Sequence, residues 1–461
     1  MAPMAPTDLQ SYLALLEQAG RLKRIQATVD PHLELAAIVD RVCKGGDSGQ
    51  ALLFEDVRGA GMAVAANLFG SLEQVGWALG TTDIAALARR LGDDLVAAGE
   101  VKAEQALTKI CNLAAWQPAV TDRLAGRVRD QSDRGLDILP RIVAWPADGG
   151  PFLTQAQVYT RDPETGAANC GMYRIQCHDR HRATIRCRAS SDAARHLAAW
   201  HARNTAMPVA VVLGGPPVLA WVASAPLPYA ADEVAFGGYL LQQRLEMSRC
   251  RYSDLLVPAS AEIVIEGVVE PGSTAPEGPF GNHTGRYDAE AAAPLMKVLS
   301  VQAATSAICP WTLVGPPPME NIHLARATVR LFTPLVKMAL PTVRAVHLPA
   351  EGIFHRAAIV TLDAKDTRPL AEVAGILRDT LLLRNARLLV VAADDHDPRD
   401  IPTVFWQALN AVDWRRDLLI EDNQLTIDAR YRPAGALVRG EEAVLERVLR
   451  RWHEFGFDTP G

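Results

Sequence analysis

The stretch from Ala206 to Ala231, AMPVAVVLGGPPVLAWVASAPLPYAA, is the longest uncharged run of the 461-residue chain. It forces a choice between a membrane span and a buried piece of β-structure. Its length suffices to cross a bilayer. The Gly-Gly-Pro-Pro at its centre decides against that, because two glycines and two prolines in a row break a helix and punctuate turns. The run is therefore expected to be strand, turn, strand, with PVAVVLG (208–214) and VLAWVAS (218–224) as its arms.

Working outward, similar segments flank it: TQAQVYT (154–160), CGMYRIQCH (170–178), ATIRCRA (183–189), EIVIEGVV (262–269) and LMKVLSVQAAT (295–305). Their spacing, with glycine or proline between them, predicts an antiparallel barrel-like core from about residue 138 to 310, with a few inserted helices. Upstream, Leu9, Tyr12, Leu13 and Leu16 recur at helical spacing before Gly20, and RLKRIQATV (21–29) follows as a strand. Asp30 and Pro31 supply an N-cap and first-turn proline for a second helix that stops at Gly45-Gly46. ALLFEDV (51–57) and GMAVAANLF (61–69) are strands, and helices run to about residue 112. Downstream of GPPPMEN (315–321) a helix crosses to a third region. There AAIVTLDA (357–364), a helix from Leu370 to Leu383, ARLLVVAADD (386–395) and a helix from Pro402 to Val412 give a β-α-β-α order. The fold class is thus multidomain α+β, divided as 1–112, 113–312, a linker helix at 313–335, and 336–461.

The bulk properties narrow the partners. Hydrophobic residues make up 49% and charged residues 22%, and 47 basic against 53 acidic side chains leave a net charge of −6. Without a long basic run, nucleic acid is not expected as a partner. The first twenty residues lack the basic and apolar blocks of a secretory signal. Seven cysteines, an odd number with no Cys-x-x-Cys pair, fit reduced thiols in the cytoplasm and no zinc site.

Four polar clusters carry the chemistry. In NCGMYRIQCHD (169–179), read as one strand, Arg174 shares a face with Met172 and Gln176 while Asn169 faces the other way. A solvated edge-strand arginine is the plainer alternative. In RASSDAARHLAAW (188–200), Ser190 or Ser191 can cap a helix beginning at Asp192, and such an N-terminus can hold phosphate or simply be complemented by the acid. In PLPYAADEVAFGG (226–238), Glu233 opens a helix. Asn169, Asp192 and Glu233 together are three hard oxygen donors, the set that suits Mg²⁺ or Mn²⁺. The fourth cluster, EGPFGNHTGRYD (277–288), is either a surface turn or a reacting wall.

Several of these motifs, in this order, resemble the UbiD-like decarboxylases, which use prenylated flavin mononucleotide. They are DLQSYLALLEQAGRLKRI (8–25), VDPHLELAAI (29–38), NCGMYR (169–174), EGPFGNHTG (277–285), GPPPMEN (315–321) and LLVVAADDHDPRD (388–400). The resemblance implies an N-terminal α/β region, a split-β-barrel flavin-binding domain and a C-terminal α/β oligomerisation domain joined by a helix. It implies reversible, non-oxidative decarboxylation of an aromatic, heteroaromatic or α,β-unsaturated carboxylic acid through a covalent substrate–cofactor adduct; the alternative is a non-catalytic flavin-binding homologue or scaffold partner.

By the same resemblance the cofactors are prenylated FMN, Mn²⁺ (or Mg²⁺) and K⁺. Asn169 and Glu233 are metal ligands, Asp192 stands where the family has histidine, and His196 competes for that place. Asn169, Met172, Tyr173, Arg174, Ser190, Ser191, Ser224, Pro226 and Glu233 contact the cofactor. Arg174 and Glu277 are the catalytic arginine and general acid. Asn282 replaces the family's second acid, which leaves the usual three-residue ionic arrangement incomplete. His283 and Arg286 line the substrate side, and the glycines let the loop approach a flat ring. The implied partners are the carboxylic acid, CO₂, a flavin prenyltransferase that supplies the cofactor, and a second copy in a homodimer or an assembly of dimers.

Overall fold

The computed structural model of the chain describes residues 5–45, 49–100, 102–395, 397–430 and 440–457. The first helix, Leu9–Gln18, starts where the Asp8 carboxylate accepts the Ser11 N–H at 2.7 Å, and it buries Leu9, Tyr12, Leu13 and Leu16. Gly20 follows its end at φ +68°, a conformation glycine takes without steric cost. The second helix is Glu34–Lys44, later than expected. Asp30 is drawn into a tighter local turn, its carboxylate accepting the His32 N–H at 2.8 Å, so Asp30 and Pro31 lead up to the helix and do not cap it. Gly45 ends it; Gly46 lies outside the described residues.

Strands Leu22–Ile25, Ala51–Phe54 and Ala63–Ala66 form the N-terminal sheet, and Ile308–Trp311 joins it from far downstream. The chain therefore returns to its N-terminal region after completing the barrel.

The barrel consists of β1 (Phe152–Leu153), β2 (Gln157–Arg161), β3 (Ala168–Met172), β4 (Ile175–Asp179), β5 (Arg182–Ile185), β6 (Met207–Gly214), β7 (Ala261–Glu277) and β10 (Ala291–Ala304); the hairpin β8 (Phe280–Gly281) and β9 (Tyr287–Asp288) extends beyond β7. The order across the sheet is β1-β4-β5-β10-β7-β6-β2-β3, with Val128–Asp130 also paired to β10. CGMYRIQCH is consequently two strands and not one. β3 pairs with β2 near one end of the sheet and β4 with β5 and β1 near the other, so Tyr173 and Arg174 stitch the two ends of an open barrel. Met172 N–H, no longer paired in a continuous strand, donates to the Ala223 carbonyl at 2.8 Å.

Three helices ride on this frame: α1 (Asp192–Ala202), α2 (Pro217–Val222) and α3 (Glu233–Leu241). α2 corrects the expectation for VLAWVAS, which is helix and not strand. All six residues of α2 are buried, so no polar face marks a helical period, and Pro217 stands in the first turn where a missing N–H costs nothing. The opening stretch is thus strand, turn, helix. Among the described residues no helix is long and apolar enough to cross a membrane.

The linker helix α4 (Asn321–Ala339) packs against helices Leu72–Ala78 and Ile84–Ala97 of the N-terminal region, and leads to a sheet ordered 343–347, 357–362, 388–393, 424–429, 418–421. Its helices are Leu370–Arg378, five residues shorter than expected, and Ile401–Ala411.

Candidate active site

Two polar centres lie on either side of the barrel seam. The first gathers the end of β2, β3 and the starts of α1 and α3. Ser191, not Ser190, caps α1, its hydroxyl accepting the Ala194 N–H at 3.4 Å; Asp192 is the first helical residue. Glu233 likewise opens α3 behind its cap Asp232. The Glu233 carboxylate accepts the Cys170 N–H at 3.0 Å, and Asn169 precedes Cys170 on β3. Asn169 donates its side-chain N–H to Thr160 Oγ1 at 3.2 Å, and Thr160 stands 2.9 Å from His196 Nδ1. The hydroxyl has both a proton to give and a second lone pair, so either tautomer of His196 can serve this contact. Its Nε2 is buried without a partner among the described residues. His196 is therefore packed behind Asn169, where it fixes Thr160 and through it the amide.

Burial pushes the Glu233 carboxyl up to about 8, opposed by the backbone N–H groups of Cys170 and Glu233 itself, and the nearby charges of Asp232 and Asp192 raise it further. Burial also raises Asp192, against Arg195 and Arg384. Among the described residues no arginine or lysine forms an ion pair with Glu233. Two partly desolvated carboxylates and an amide held by its nitrogen end form a donor set that a hard cation would neutralise. No three of His, Cys, Asp and Glu gather as a metal cluster among the described residues, so any such site depends on the Asn169 amide.

The second centre is an ion-pair network at the seam. Arg174 Nε and Nη2 donate to the two Glu277 oxygens at 2.7 and 3.0 Å, and Nη1 donates to Asp288 at 2.7 Å. The guanidinium lies over the Phe280 ring, 4.3 Å from its centroid. Burial alone would lower the arginine's pKa, but the bonds to Glu277 and Asp288 outweigh it and raise the group. Glu277 is wholly buried at the last position of β7, and Asp288 is about half exposed at the end of β9. Asn282 donates to the other Asp288 oxygen at 2.6 Å. The hairpin register pairs Phe280 with Asp288, which is what brings position 288 back beside Arg174.

Sequence profiles of the 3-octaprenyl-4-hydroxybenzoate carboxy-lyase match this chain with their N-terminal domain over residues 13–95, their Rift-related domain over 121–317 and their C-terminal domain over 322–436. An uncharacterised protein of Aquifex aeolicus is 37% identical over 459 residues, covering 98% of this chain and 93% of that one. The chain belongs to the UbiD family. Vanillic acid decarboxylase of Sedimentibacter hydroxybenzoicus, in its closed form, superposes with a TM-score of 0.84 at 26% identity over 98% of this chain and 100% of that one. An evolved dimeric form of the UbiD-class enzyme HmfF from Pelotomaculum thermopropionicum, in complex with prFMN, gives 0.82 at 24% identity over 96% and 98%; that likeness speaks for the fold.

Within this UbiD fold the expected residues fall into place unevenly. Asn169, Asp192 and Glu233 stand on one side of the seam, Arg174 and Glu277 at it. Met172 and Tyr173 lead into it, and Ser224 and Pro226 follow α2, beside the carbonyl that Met172 engages; the Ser224 hydroxyl donates to Trp221 O at 2.9 Å. His283 is held between domains: Asn321 Nδ2 donates to its Nδ1 at 2.9 Å, and the Phe354 ring packs edge-on with centroids 6.0 Å apart. Arg286 is exposed at the hairpin turn, and among the described residues its side chain has no hydrogen-bond or ion-pair partner. The glycines serve the hairpin. A Cβ on Gly281 would meet Trp145 Cδ1 at 2.3 Å, so that face is filled by an indole and is not open to a flat ring.

Asp288 and Asn321 were missed by sequence reasoning. Asp288 was within the motif but six residues from the position that spacing singled out. Asn321 closes GPPPMEN and meets His283 only through the tertiary fold.

Proposed function

We propose that this UbiD-family chain is a carboxy-lyase that removes CO₂, reversibly and without net oxidation, from an aromatic, heteroaromatic or α,β-unsaturated carboxylic acid, with prenylated FMN as cofactor. The observation that carries the reading is the buried Arg174–Glu277 pair at the barrel seam, tied to Asp288 and standing a few residues from a second, cation-seeking cluster.

Asn169, Asp192 and Glu233 would hold Mn²⁺ or Mg²⁺, the N-termini of α1 and α3 would suit a flavin phosphate, and K⁺ would be the further cation. The donor chemistry fits: hard oxygen donors, a burial-raised carboxyl and no ion-pairing side chain on Glu233 among the described residues. Bound prenylated flavin supplies the electron sink that no side chain offers for the electron pair of the broken C–C bond. The protein's own part is positional and protic. Arg174 exchanges Glu277 for the substrate carboxylate through charge-assisted bonds while Asp288 keeps its third N–H engaged. Phe280 covers one guanidinium face and limits its movement. Glu277, freed from Arg174, takes up a proton from solvent and gives it to the carbon that CO₂ has left. Asp288 supplies the second acid that position 282 lacks, so the ionic arrangement has three members again.

A flavin prenyltransferase would supply the cofactor in the cytoplasm. A second copy would cover the exposed Trp406 and Leu409 of helix Ile401–Ala411. Co-production with such a prenyltransferase, followed by CO₂ assay across a panel of carboxylic acids, tests the reading. Glu277→Gln is expected to abolish turnover and leave flavin bound; turnover by that variant, or a colourless inert wild type, removes the proposal.

A further inference from the structure

Arg186 stands immediately after β5, and its backbone N–H donates to the Arg174 carbonyl at 3.1 Å. Main chain thus fastens two arginines together at the seam, and their guanidiniums converge on one carboxylate. Arg174 holds both Glu277 oxygens, while Arg186 Nη1 stands 3.6 Å from Oε2. That separation is an ion pair but too long for a hydrogen bond. Among the described residues Arg186 has no other ion pair, and its side chain is one-third exposed, with freedom to shift.

The arrangement matters once Arg174 is called away. A substrate carboxylate that takes Arg174 strips Glu277, a side chain with no exposure, of its hydrogen-bonded partner among the described residues, and an unpaired buried charge is strongly unfavourable. The other neighbours of Glu277 offer no replacement. His178 on β4 is lowered by burial and by Arg182, and so favours its neutral form. Ala291 on β10, directly opposite, is apolar. Asp288 and Asp148 near Arg174 are themselves acids; Asp148 accepts the Gly281 and Trp145 N–H groups.

Resting on the roles given above to Arg174 and Glu277, we propose that Arg186 is a positioning residue that takes over Glu277 when substrate claims Arg174, and receives the carboxylate that proton delivery leaves behind. Once Arg174 has left it, Glu277 takes up a proton from solvent; in the delivery step that O–H bond breaks and a C–H bond forms at the carbon that lost CO₂, using the pair from the broken C–C bond. The O–H electron pair stays on Glu277, facing Arg186, until water returns a proton. Arg186 thereby favours release of the proton at the moment it is needed.

The test removes Arg174 without a ligand. In Arg174→Gln protein, the infrared carbonyl band of protonated Glu277, identified by its loss when Glu277→Gln is added, is followed against pH. Adding Arg186→Gln takes away the remaining positive charge, so the band is expected to appear at a pH roughly one unit higher, and Arg186→Lys should restore most of the difference. Equal midpoints overturn the proposal. A second measurement retains Arg174: in cofactor-loaded Arg186→Gln the alkaline limit of kcat should move up by about one unit, because the acid keeps its proton longer. A limit that stays in place or moves down overturns it too. The infrared titration needs neither cofactor nor turnover, so a chain that decarboxylates nothing would sink the carboxy-lyase reading and leave this one to be judged separately.

Discussion

Arg174 makes three charged hydrogen bonds at once, two to a wholly buried partner and one to a half-exposed one. The two partners should therefore differ in weight. Bonds to charged groups contribute about 1.5–3 kcal/mol when shielded from water, and exposure of Asp288 discounts that toward the lower end. Asp288→Asn is expected to lower kcat/KM by roughly tenfold, mostly through KM, because the anchor orients Arg174 alike in the substrate complex and in the transition state. Steady-state kinetics check this, and a loss as deep as that of Glu277→Gln would mean Asp288 acts in the proton step itself. Asn282, which orients Asp288 without touching Arg174, should matter less. The role of position 288 was not legible from spacing along the chain. A count of five residues from Glu277 reaches Asn282, whereas the turn at Gly285 folds Asp288 back onto Phe280 and hence onto Arg174. Arg174 and Glu277 were legible because each sits within a motif of contiguous residues.

At the scale of elements, the seam between β3 and β4 and the hairpin beyond β7 decide where these side chains point. Gly281 lies against Trp145, whose indole N–H donates to Val314 O at 2.8 Å and is thereby fixed. Gly281→Ala has no room to relax, and a loss of about 1–3 kcal/mol of stability is expected, read as a drop in the denaturant midpoint. A second consequence concerns the two helix starts that carry Asp192 and Glu233. Asp192→Ala and Glu233→Gln should each weaken Mn²⁺ binding by at least about tenfold in calorimetric titration, and His196→Gln by less, since His196 acts only through Thr160. Equal losses for all three would bring His196 into the ligand set. The sequence made both helix starts legible through capping chemistry. It hid α2 because a segment buried on every side carries no period, and it hid the β3–β4 break because extended residues on either side of Arg174 look continuous until their pairing partners are known.

Over the whole molecule, the active-site hairpin and the C-terminal domain meet at His283, Asn321 and Phe354, a contact that no sequence spacing announces because it joins residues some seventy positions apart. Burial, with the neighbouring His355 and the positive charge of Arg188, pushes His283 down to about 4; burial, with Arg188 and Arg356, does the same to His355. An unfolded histidine binds its proton near pH 6.5, so between pH 6.5 and 4 the unfolded chain holds protons that the folded one refuses. The stability these groups contribute is complete above 6.5 and is lost as pH falls through that window. Glu233, raised to about 8, and Glu320, raised to about 7 chiefly by burial, act in the opposite sense, gaining stability as pH falls toward 4.5. The net profile of the wild type therefore mixes both, and only a comparison of variants isolates the histidine. His283→Gln keeps a polar partner for Asn321 and does not titrate. On going from pH 7 to pH 5 the wild type is expected to lose on the order of 2 kcal/mol relative to His283→Gln in urea unfolding, with His355→Gln behaving alike. Parallel profiles for wild type and both variants would show that protonation at this contact is not coupled to folding, and that the two domains meet there without holding the imidazoles neutral.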